Sequence, residues 1–557
     1  MLESITLRAA SSATASAVPL VLTPITVFVG PNNSGKSRLL GEVAQFCGSG
    51  ATNASSLVLA DASLSSLSTR EIDQIIAAMT APMTSSASLG AGNIMLQFRR
   101  NQFQVSEVDF RDCLSSPNSP PRNIGNACRW YLGYHTLTLD ALTRMSLINE
   151  GPGGDLLAEG TTPIQVLFRK DSLRTNLRDK ILQAFGLFFT IDPTNFQNLR
   201  IKLSESAPPS SMIERGWTQE SVDFHSKSRE IQQFSDGVKA FTGILMAVTA
   251  GDPQVILIDE PEAFLHPALA FKLGKNIADT TVGTKKRLLV ATHSADFVMG
   301  CIQSGAPINI VRLTYRSNIA SARVLASEKL LRLMRNPLLR STGVLSALFY
   351  EFVVVSEAGT DRAFYQEVNE RLTMVGRGVP NTLWLNAQNR QTVDQIIQPL
   401  RELGIPAAAI VDIDVVKEGG QVFTRLLDAA SVPDITQQSL ATARAHINNT
   451  FKVTGRDPVV SGGTGLLQGA DLAAAKDFLE KLAEYGVFVV ERGALESWLP
   501  QLGGSFYKDE WLPKVFELMG EDPASAGYIR PGYDDVWQFI DVVAGWLRNP
   551  NRKGIPA

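Results

Sequence analysis

The sequence predicts an α/β protein in which a mainly parallel sheet occurs at least twice. Three observations carry that prediction. Short apolar runs, such as Ile25 to Val29, Val255 to Ile258 and Leu288 to Ala291, are followed by polar motifs rather than by hairpin turns. Helix-compatible stretches separate these runs. A fresh alternation of the same kind starts near Phe352, with strand-like runs at 352–355, 407–411 and 487–490. Continuous apolar runs of this length suit strands covered on both faces, as in parallel sheets.

At 557 residues the chain has room for three or four domains of about 150 residues. Hydrophobic residues make up 44% and charged residues 19%, a balance that suits a folded soluble protein and argues against a disordered chain. The net charge of −3 excludes a globally basic nucleic-acid binder, so any such surface must be local. The four cysteines, 47, 113, 128 and 301, lack metal-ligand spacing and read as buried thiols. No signal pattern opens the chain, and no run reaches the ~18 apolar residues of a membrane span, so a cytoplasmic protein without membrane contact is expected.

The first element of chemistry is Gly30-Pro31-Asn32-Asn33-Ser34-Gly35-Lys36-Ser37, which fits the phosphate-binding loop pattern. The strand Ile25 to Val29 leads in and a helical stretch, Arg38 to Phe46, leads out. Gly30 and Gly35 let backbone N–H groups turn toward phosphate oxygens, and Asn33 and Ser34 belong to the same cradle. Lys36 can reach the outer phosphates of ATP, and the Ser37 hydroxyl can ligate Mg²⁺. Downstream, Val255 to Ile258 ends in Asp259-Glu260: the first acid suits Mg²⁺, the second suits orientation or deprotonation of a water. Leu288 to Ala291 ends in Thr292-His293-Ser294, placing an imidazole at the edge where such sheets bind ligands. Phe234-Ser235-Asp236-Gly237 reads as a helix start able to offer a hydroxyl and N–H groups to phosphate.

Other segments are less specific. Gly48 to Ser68 and Thr80 to Gly92 read as loops, Gly151 to Gly154 as a break, and Leu167 to Phe189 as one helix. Pro337 interrupts a basic, Leu-rich segment from Lys329 to Arg340 and suggests a domain boundary at 336–350. Beyond it, Phe352 to Ser356 runs into Glu357, with Asp361 four residues on. Ala407 to Val411 runs into Asp412-Ile413-Asp414; if the strand continues, the two aspartates share a face. Val487 to Val490 leads toward Glu491 and Glu496. Clustered carboxylates at strand ends call for a hard divalent cation, and two such ions can clamp a phosphodiester.

These motifs bring a family resemblance. The phosphate loop, the Ser235-x-Gly237 signature, Asp259 to Pro267 and Thr292 to Ser294 resemble the ABC-type ATPase heads of the RecF and SMC group. That resemblance implies ATP with Mg²⁺ on Lys36, Ser37 and Asp259, water activation by Glu260, and a γ-phosphate contact from His293. It also implies pairing of two heads, with Ser235 and Gly237 acting across the pair. The acids after 356, 411 and 490 are similar to a Toprim domain, and Gly493-Ala494-Leu495-Glu496 to its Gly-x-Leu-Glu element. Head and Toprim in one chain resemble the OLD (overcoming-lysogenisation-defect) family of ATP-dependent nucleases.

The resemblance implies the following organisation: an ABC-type head over 1–340 with a helical or dimerisation insert within 45–215, a Toprim domain over 346–502, and a C-terminal extension over 503–557. It implies Glu357, Asp361, Asp412, Asp414 and Glu496 as ligands of Mg²⁺ or Mn²⁺, two ions in all, with Glu357, Asp412 and Asp414 in catalysis. The implied activity is ATP- and metal-dependent DNA cleavage or nicking in bacterial defence against phage, by a homodimer or higher oligomer, with partner proteins of a defence system. The alternative is a DNA-binding ATPase scaffold or sensor with an inert Toprim fold. A topoisomerase or primase is disfavoured, since no tyrosine has a nucleophile's context. Where the Toprim pattern has Glu-Gly, this chain has Glu357-Ala358, and where the ABC signature has Leu it has Phe234. Lys508, Lys514 and Lys553 are candidates for the family's catalytic lysine. Lys285-Lys286-Arg287, Arg99-Arg100 and the Lys329, Arg332, Arg335, Arg340 segment are the candidate DNA-contacting ground.

Overall fold

The computed structural model describes residues 1–9, 19–53, 55–80, 92–98, 101–119, 123–156, 160–251, 253–316, 319–325, 328, 330, 331, 335, 343–502 and 508–556. The chain divides into two compact units, Met1–Ser327 and Glu328–Ala557.

In the first unit a six-stranded sheet runs in the spatial order Ile319–Leu325, Ile308–Arg316, Ile25–Val29, Arg287–Ala291, Val255–Asp259, Thr136–Leu139. All neighbours pair in parallel except the edge hairpin formed by Ile308–Arg316 and Ile319–Leu325. The central strands are buried on both faces: Val255, Ile256, Leu257 and Ile258 are fully inaccessible, as are Leu288, Leu289 and Val290. That double burial is why they read as unbroken apolar runs. The phosphate loop is followed by the helix Lys36–Ser49, which buries Leu39, Leu40, Val43, Phe46 and Cys47 at helical spacing and stops at left-handed Gly50.

The stretch 45–215, where an insert was expected, mixes helices such as Thr69–Met79, Glu107–Ser115 and Asp171–Phe185 with strands. It contributes the strand Leu59–Leu64 to an antiparallel sheet with Leu2–Leu7 and Pro19–Val21, a hairpin of Asn93–Phe98 with Asn101–Ser106, and the strands Phe188–Asp192 and Asn198–Ser204. Much of it joins the first unit's own core, through Leu59, Leu96, Phe110 and Leu132. The single helix expected over 167–189 is two helices, Pro163–Arg169 and Asp171–Phe185, followed by a strand. Lys170 adopts an extended conformation between them, and Gly186 ends the second in the left-handed region. All four cysteines are buried free thiols. Residues 81–91, in the second expected loop, lie outside the described residues.

In the second unit four parallel strands lie in the order Thr382–Asn386, Phe352–Ser356, Ala407–Asp412, Val487–Val490. The helices Gly359–Met374 and Val393–Glu402 make the first two connections. One sheet face, presenting Phe352, Val354, Ala408, Ile410, Phe488 and Val490, packs on the chain's last helices, Lys508–Met519 and Asp535–Arg548, through Trp511, Val515, Trp537 and Ile540. The tryptophan-rich segment after residue 503 is therefore part of this unit's core.

Arg401 fixes that packing. It is fully buried and donates to five carbonyls: Ala407, Ala430, Tyr485, Gly486 and Gly554. Methionine would fill much of the volume but strand those acceptors. Arg401→Met is expected to lower unfolding free energy by about 3 kcal/mol or more, measured by urea denaturation.

Candidate functional site

Parallel pairing sends the ends of Ile25–Val29, Arg287–Ala291 and Val255–Asp259 to one edge. There the phosphate loop closes on its own lysine. Lys36 Nζ donates to the carbonyls of Gly30 and Pro31 at 2.9 Å and to Ser34 Oγ at 3.3 Å. Burial lowers the Lys36 ammonium to about 8, opposed by Glu260, Asp259 and Glu262. Gly30 has φ +145, and a Cβ there would lie 2.0 Å from the Leu313 carbonyl, so only glycine fits. Gly35 has φ +91 and Asn33 φ 60.

Ser37 Oγ donates to Asp259 Oδ1 at 3.0 Å, across the intervening strand. A hydroxyl and a carboxylate in contact at the mouth of the loop are the hard oxygen donors that Mg²⁺ accepts from protein. Burial raises the Asp259 pKa, and Glu260 adds to it, while Ser37 acts the other way.

Glu260 sits at φ 48, a left-handed conformation uncommon for a non-glycine residue. Its N–H donates to the Ala291 carbonyl at 2.8 Å. Its own carbonyl accepts from buried Arg144 at 2.7 Å, and Arg144 also reaches the Asp259 carbonyl. The turn thereby presents the Glu260 carboxylate to solvent, with Oε1 3.9 Å from His293 Nε2. Burial, and then Lys36, lowers the His293 pKa. Glu262 holds the opposite rim, accepting from the Thr292 hydroxyl at 2.8 Å and from the His293 N–H at 2.7 Å. Arg144 and Glu262 are positioning residues that motif reading did not single out. Glu262 lies within the quoted Asp259 to Pro267 run; Arg144 has no local signal.

Ser235 caps the helix Asp236–Ala250 by position, yet its exposed side chain makes no capping hydrogen bond. Gly237 packs against Phe264, where a Cβ would lie 2.8 Å from the carbonyl oxygen. Phe234 lies beneath the Arg229 guanidinium, 4.5 Å from the ring centroid.

In the second unit, the strand order places a topological switch between Phe352–Ser356 and its two neighbours, where open parallel sheets bind ligands. Glu357 and Asp412 stand there, one after each of the adjacent central strands. Glu357 Oε1 accepts from the Asp412 N–H at 3.0 Å. Burial, and then the Asp412 carboxylate, push Glu357 up to about 7; Arg390 opposes and Asp361 adds. Asp361 Oδ2 accepts from the Ala358 N–H at 2.9 Å, tying it to the start of the following helix. Ala358 has φ −122, extended backbone that any residue adopts, so alanine brings no strain where glycine was the expected type.

Asp414 does not share a strand face with Asp412. The strand ends at Asp412 and a 3-10 turn, Ile413–Val416, follows, so the two-residue period no longer applies. Asp414 instead pairs with Arg390, which also pairs with Glu418. Glu496 lies half-buried in the turn Leu495–Ser497 and makes no hydrogen bond or ion pair to the other acids among the described residues. Among those residues, no three of His, Cys, Asp and Glu are grouped so as to hold a metal ion as they stand. The donors Glu357, Asp361 and Asp412 nonetheless have the right chemistry for Mg²⁺ or Mn²⁺, and the carboxylate repulsion on Glu357 is what a divalent cation relieves. Arg390, from the turn after Thr382–Asn386, brings a cation to these acids; sequence reading missed both that strand and the arginine.

Of the candidate lysines, Lys514 pairs with Glu510 and Lys553 with Glu484, and the Lys508 side chain lies outside the described residues. Lys285 pairs with Glu71, and Lys286 donates to the carbonyls of Val248 and Gly251, so that basic run is engaged locally. Arg99, Arg100, Lys329, Arg332 and Arg340 lie outside the described residues, and Arg335 is exposed.

Residues 182–300 match a family described as "AAA domain, putative AbiEii toxin, Type IV TA system". The match takes in Ser235, Asp259 and His293. No curated protein matches the chain. Solved structures similar to it include an SMC head bound to the C-terminal winged-helix domain of ScpA, at 14% identity over 59% of this chain and 99% of that one, TM-score 0.32. The SMC head domain from Thermotoga maritima aligns at 11% identity over 58% and 99%, TM-score 0.29. The Pyrococcus furiosus Smc head with an extended coiled coil, bound to the C-terminal domain of ScpA, aligns at 12% over 60% and 98%, TM-score 0.32. The family match lies in the first unit, downstream of the phosphate loop that encloses Lys36, and the two together support an ATP-binding ATPase domain there. No helix among the described residues is long and apolar enough to cross a membrane.

Two outcomes are expected. Lys36→Ala should weaken ATP binding by about ten- to a hundredfold, the worth of one charge-assisted contact, measured by calorimetry. Glu357 ionises in the unfolded chain near 4.5 but in the folded unit only near 7. Its neutral form therefore favours folding below about pH 4.5, and that advantage is lost as pH rises through 7. Glu357→Gln, which keeps an acceptor for the Asp412 N–H, should flatten this loss of about 3 kcal/mol, read from metal-free urea melts at pH 5 and pH 8.

Proposed function

We propose that the chain is an ATP-dependent, divalent-metal-dependent DNA endonuclease or nickase of the OLD type, acting in bacterial anti-phage defence as a homodimer or higher oligomer. The observation that carries the nuclease reading is the pairing of Glu357 with the Asp412 backbone at the switch point of a four-stranded parallel sheet. In the first unit, Lys36 and the loop N–H groups would hold the phosphates of ATP, Ser37 and Asp259 would hold Mg²⁺, Glu260 would take a proton from the attacking water, and His293 would contact the γ-phosphate. The unused Ser235 hydroxyl supports a contact to ATP held by a second head.

In the second unit Glu357, Asp361 and Asp412 would hold Mg²⁺ or Mn²⁺, with Asp414 and Glu496 joining on rearrangement. Bound there, the metal supplies an electrophile for the phosphodiester oxygens and lowers the pKa of water. Glu357, with its raised pKa, keeps a proton near neutrality until a cation enters.

A second reading is a DNA-binding ATPase whose Toprim-like unit is inert. The Arg390 pairing with Asp414 and Glu418 favours it, because a cation already neutralises part of the acidic edge.

Supercoiled plasmid incubated with the purified protein, with nucleotide and metal varied independently, separates the readings. Nicking that needs Mg²⁺ or Mn²⁺ is expected to fall at least about a hundredfold in Glu357→Gln and Asp412→Asn, with ATP binding unchanged. Cutting by those variants at the parental rate would remove the assignment, and no cutting under any condition, with DNA binding retained, would leave the scaffold.

A further inference from the structure

A second feature of the same sheet edge is a cleft of about 470 Å³ beside the end of the strand Val487–Val490. Its walls include Gly462, Thr464, Gly465, Lys476, Arg492 and Ser497. That volume lies in the range of ligand sites. It is continuous in the chain with the acidic edge: Ser497 follows Glu496, and the Ile413 N–H, next to Asp412, donates to the Gly493 carbonyl at 3.1 Å.

One wall is bare backbone. Ser461-Gly462-Gly463-Thr464-Gly465 turns with φ +97 at Gly462 and φ +60 at Gly463. Gly463 is fixed by packing, since a Cβ there would lie 1.9 Å from the Glu491 carbonyl. Gly462 and Gly465 are different. A Cβ on either would meet nothing within 4 Å, and Gly465 does not have positive φ, so neither packing nor backbone geometry requires glycine at 465. What its bareness leaves is room for a ligand to approach the main chain.

Two cations also line the cleft. Lys476 projects from the helix Gly469–Glu484, is exposed, and has no hydrogen-bond or ion-pair partner among the described residues. Arg492 makes one ion pair, at 3.3 Å to Asp535, and remains 42% exposed. Glu491 also lines the cleft and is exposed, and Asp535 offsets Arg492, which leaves Lys476 as the lining cation without a partner among the described residues. Bare glycine backbone lining the same cleft as a lysine and an arginine suits a phosphodiester, which is anionic and needs close backbone approach.

We propose that this cleft seats a backbone phosphate of a DNA strand running from the carboxylate edge, with Lys476 as its principal cation. The inference rests on reading Glu357 and Asp412 as a phosphodiester site. The test is anisotropy of a fluorescent single-stranded DNA oligonucleotide on the full chain in EDTA, across a salt series. Lys476→Glu should weaken binding about tenfold, and Lys476→Gln should reduce the slope of log affinity against log salt by about 0.7, the loss of one phosphate contact. Gly465→Val, which adds bulk only to open space, should weaken binding without lowering the melting temperature. Parental affinity and salt slope in all three variants would overturn the assignment. Weakened binding in these variants, alongside a parent that never cuts plasmid, would retain the cleft and discard the nuclease reading.

Discussion

Both units depend on the same constraint: parallel strands covered on two faces have nowhere to place polar chemistry except the loops at their carboxyl ends. In the first unit, the strands ending at Val29, Asp259 and Ala291 have their interiors buried, and their exits carry Lys36, Glu260 and His293. In the second unit the strands ending at Ser356, Asp412 and Val490 do the same for Glu357, Asp412 and the Gly493 turn. The sheets hold these groups in register by main-chain hydrogen bonds, so a carboxylate 222 positions from Ser37 in sequence meets its hydroxyl at 3.0 Å.

That constraint also explains what could be read from sequence. Strands buried on both faces are unbroken apolar runs, which is why Val255 to Ile258 and Phe352 to Val355 were legible and why their terminal acids drew notice. Thr382–Asn386 was not legible: threonine and asparagine bound it, and only Trp384 and Leu385 of its five residues are buried. Without that strand, Arg390 had no place at the acidic edge. Asp414 was misplaced for a local reason, since the chain leaves the sheet at Asp412 and enters a 3-10 turn. The helix expected over 167–189 failed because its amphipathic pattern continues across the extended Lys170. Lys285 and Lys286 show the limit of reading charge in one dimension, because their ammonium groups are already bound to Glu71 and to main-chain carbonyls.

The two acidic edges manage charge differently. In the first unit, Lys36 faces Asp259, Glu260 and Glu262 across the loop mouth, and the strained Glu260 turn is held by Arg144 from behind, through main-chain carbonyls. Its carboxylate remains outside, open to a reactant. In the second unit the guanidinium of Arg390 sits directly on two side-chain acids, while burial and then Asp412 raise the Glu357 pKa to about 7. Exchanging the Glu357 proton and that arginine for a metal would change the edge's charge without moving a strand.

The carbonyls gathered by Arg401 come from residues as far apart as 407 and 554. The Arg401 contacts of this unit therefore cannot all form until residue 554 has left the ribosome. The unit's four strands leave the exit tunnel before the tryptophans that roof them, and the nascent chain waits with one sheet face uncovered. Holdase chaperones that recognise exposed apolar surface would find their target in that interval, and synonymous codons that slow elongation after residue 490 would lengthen it.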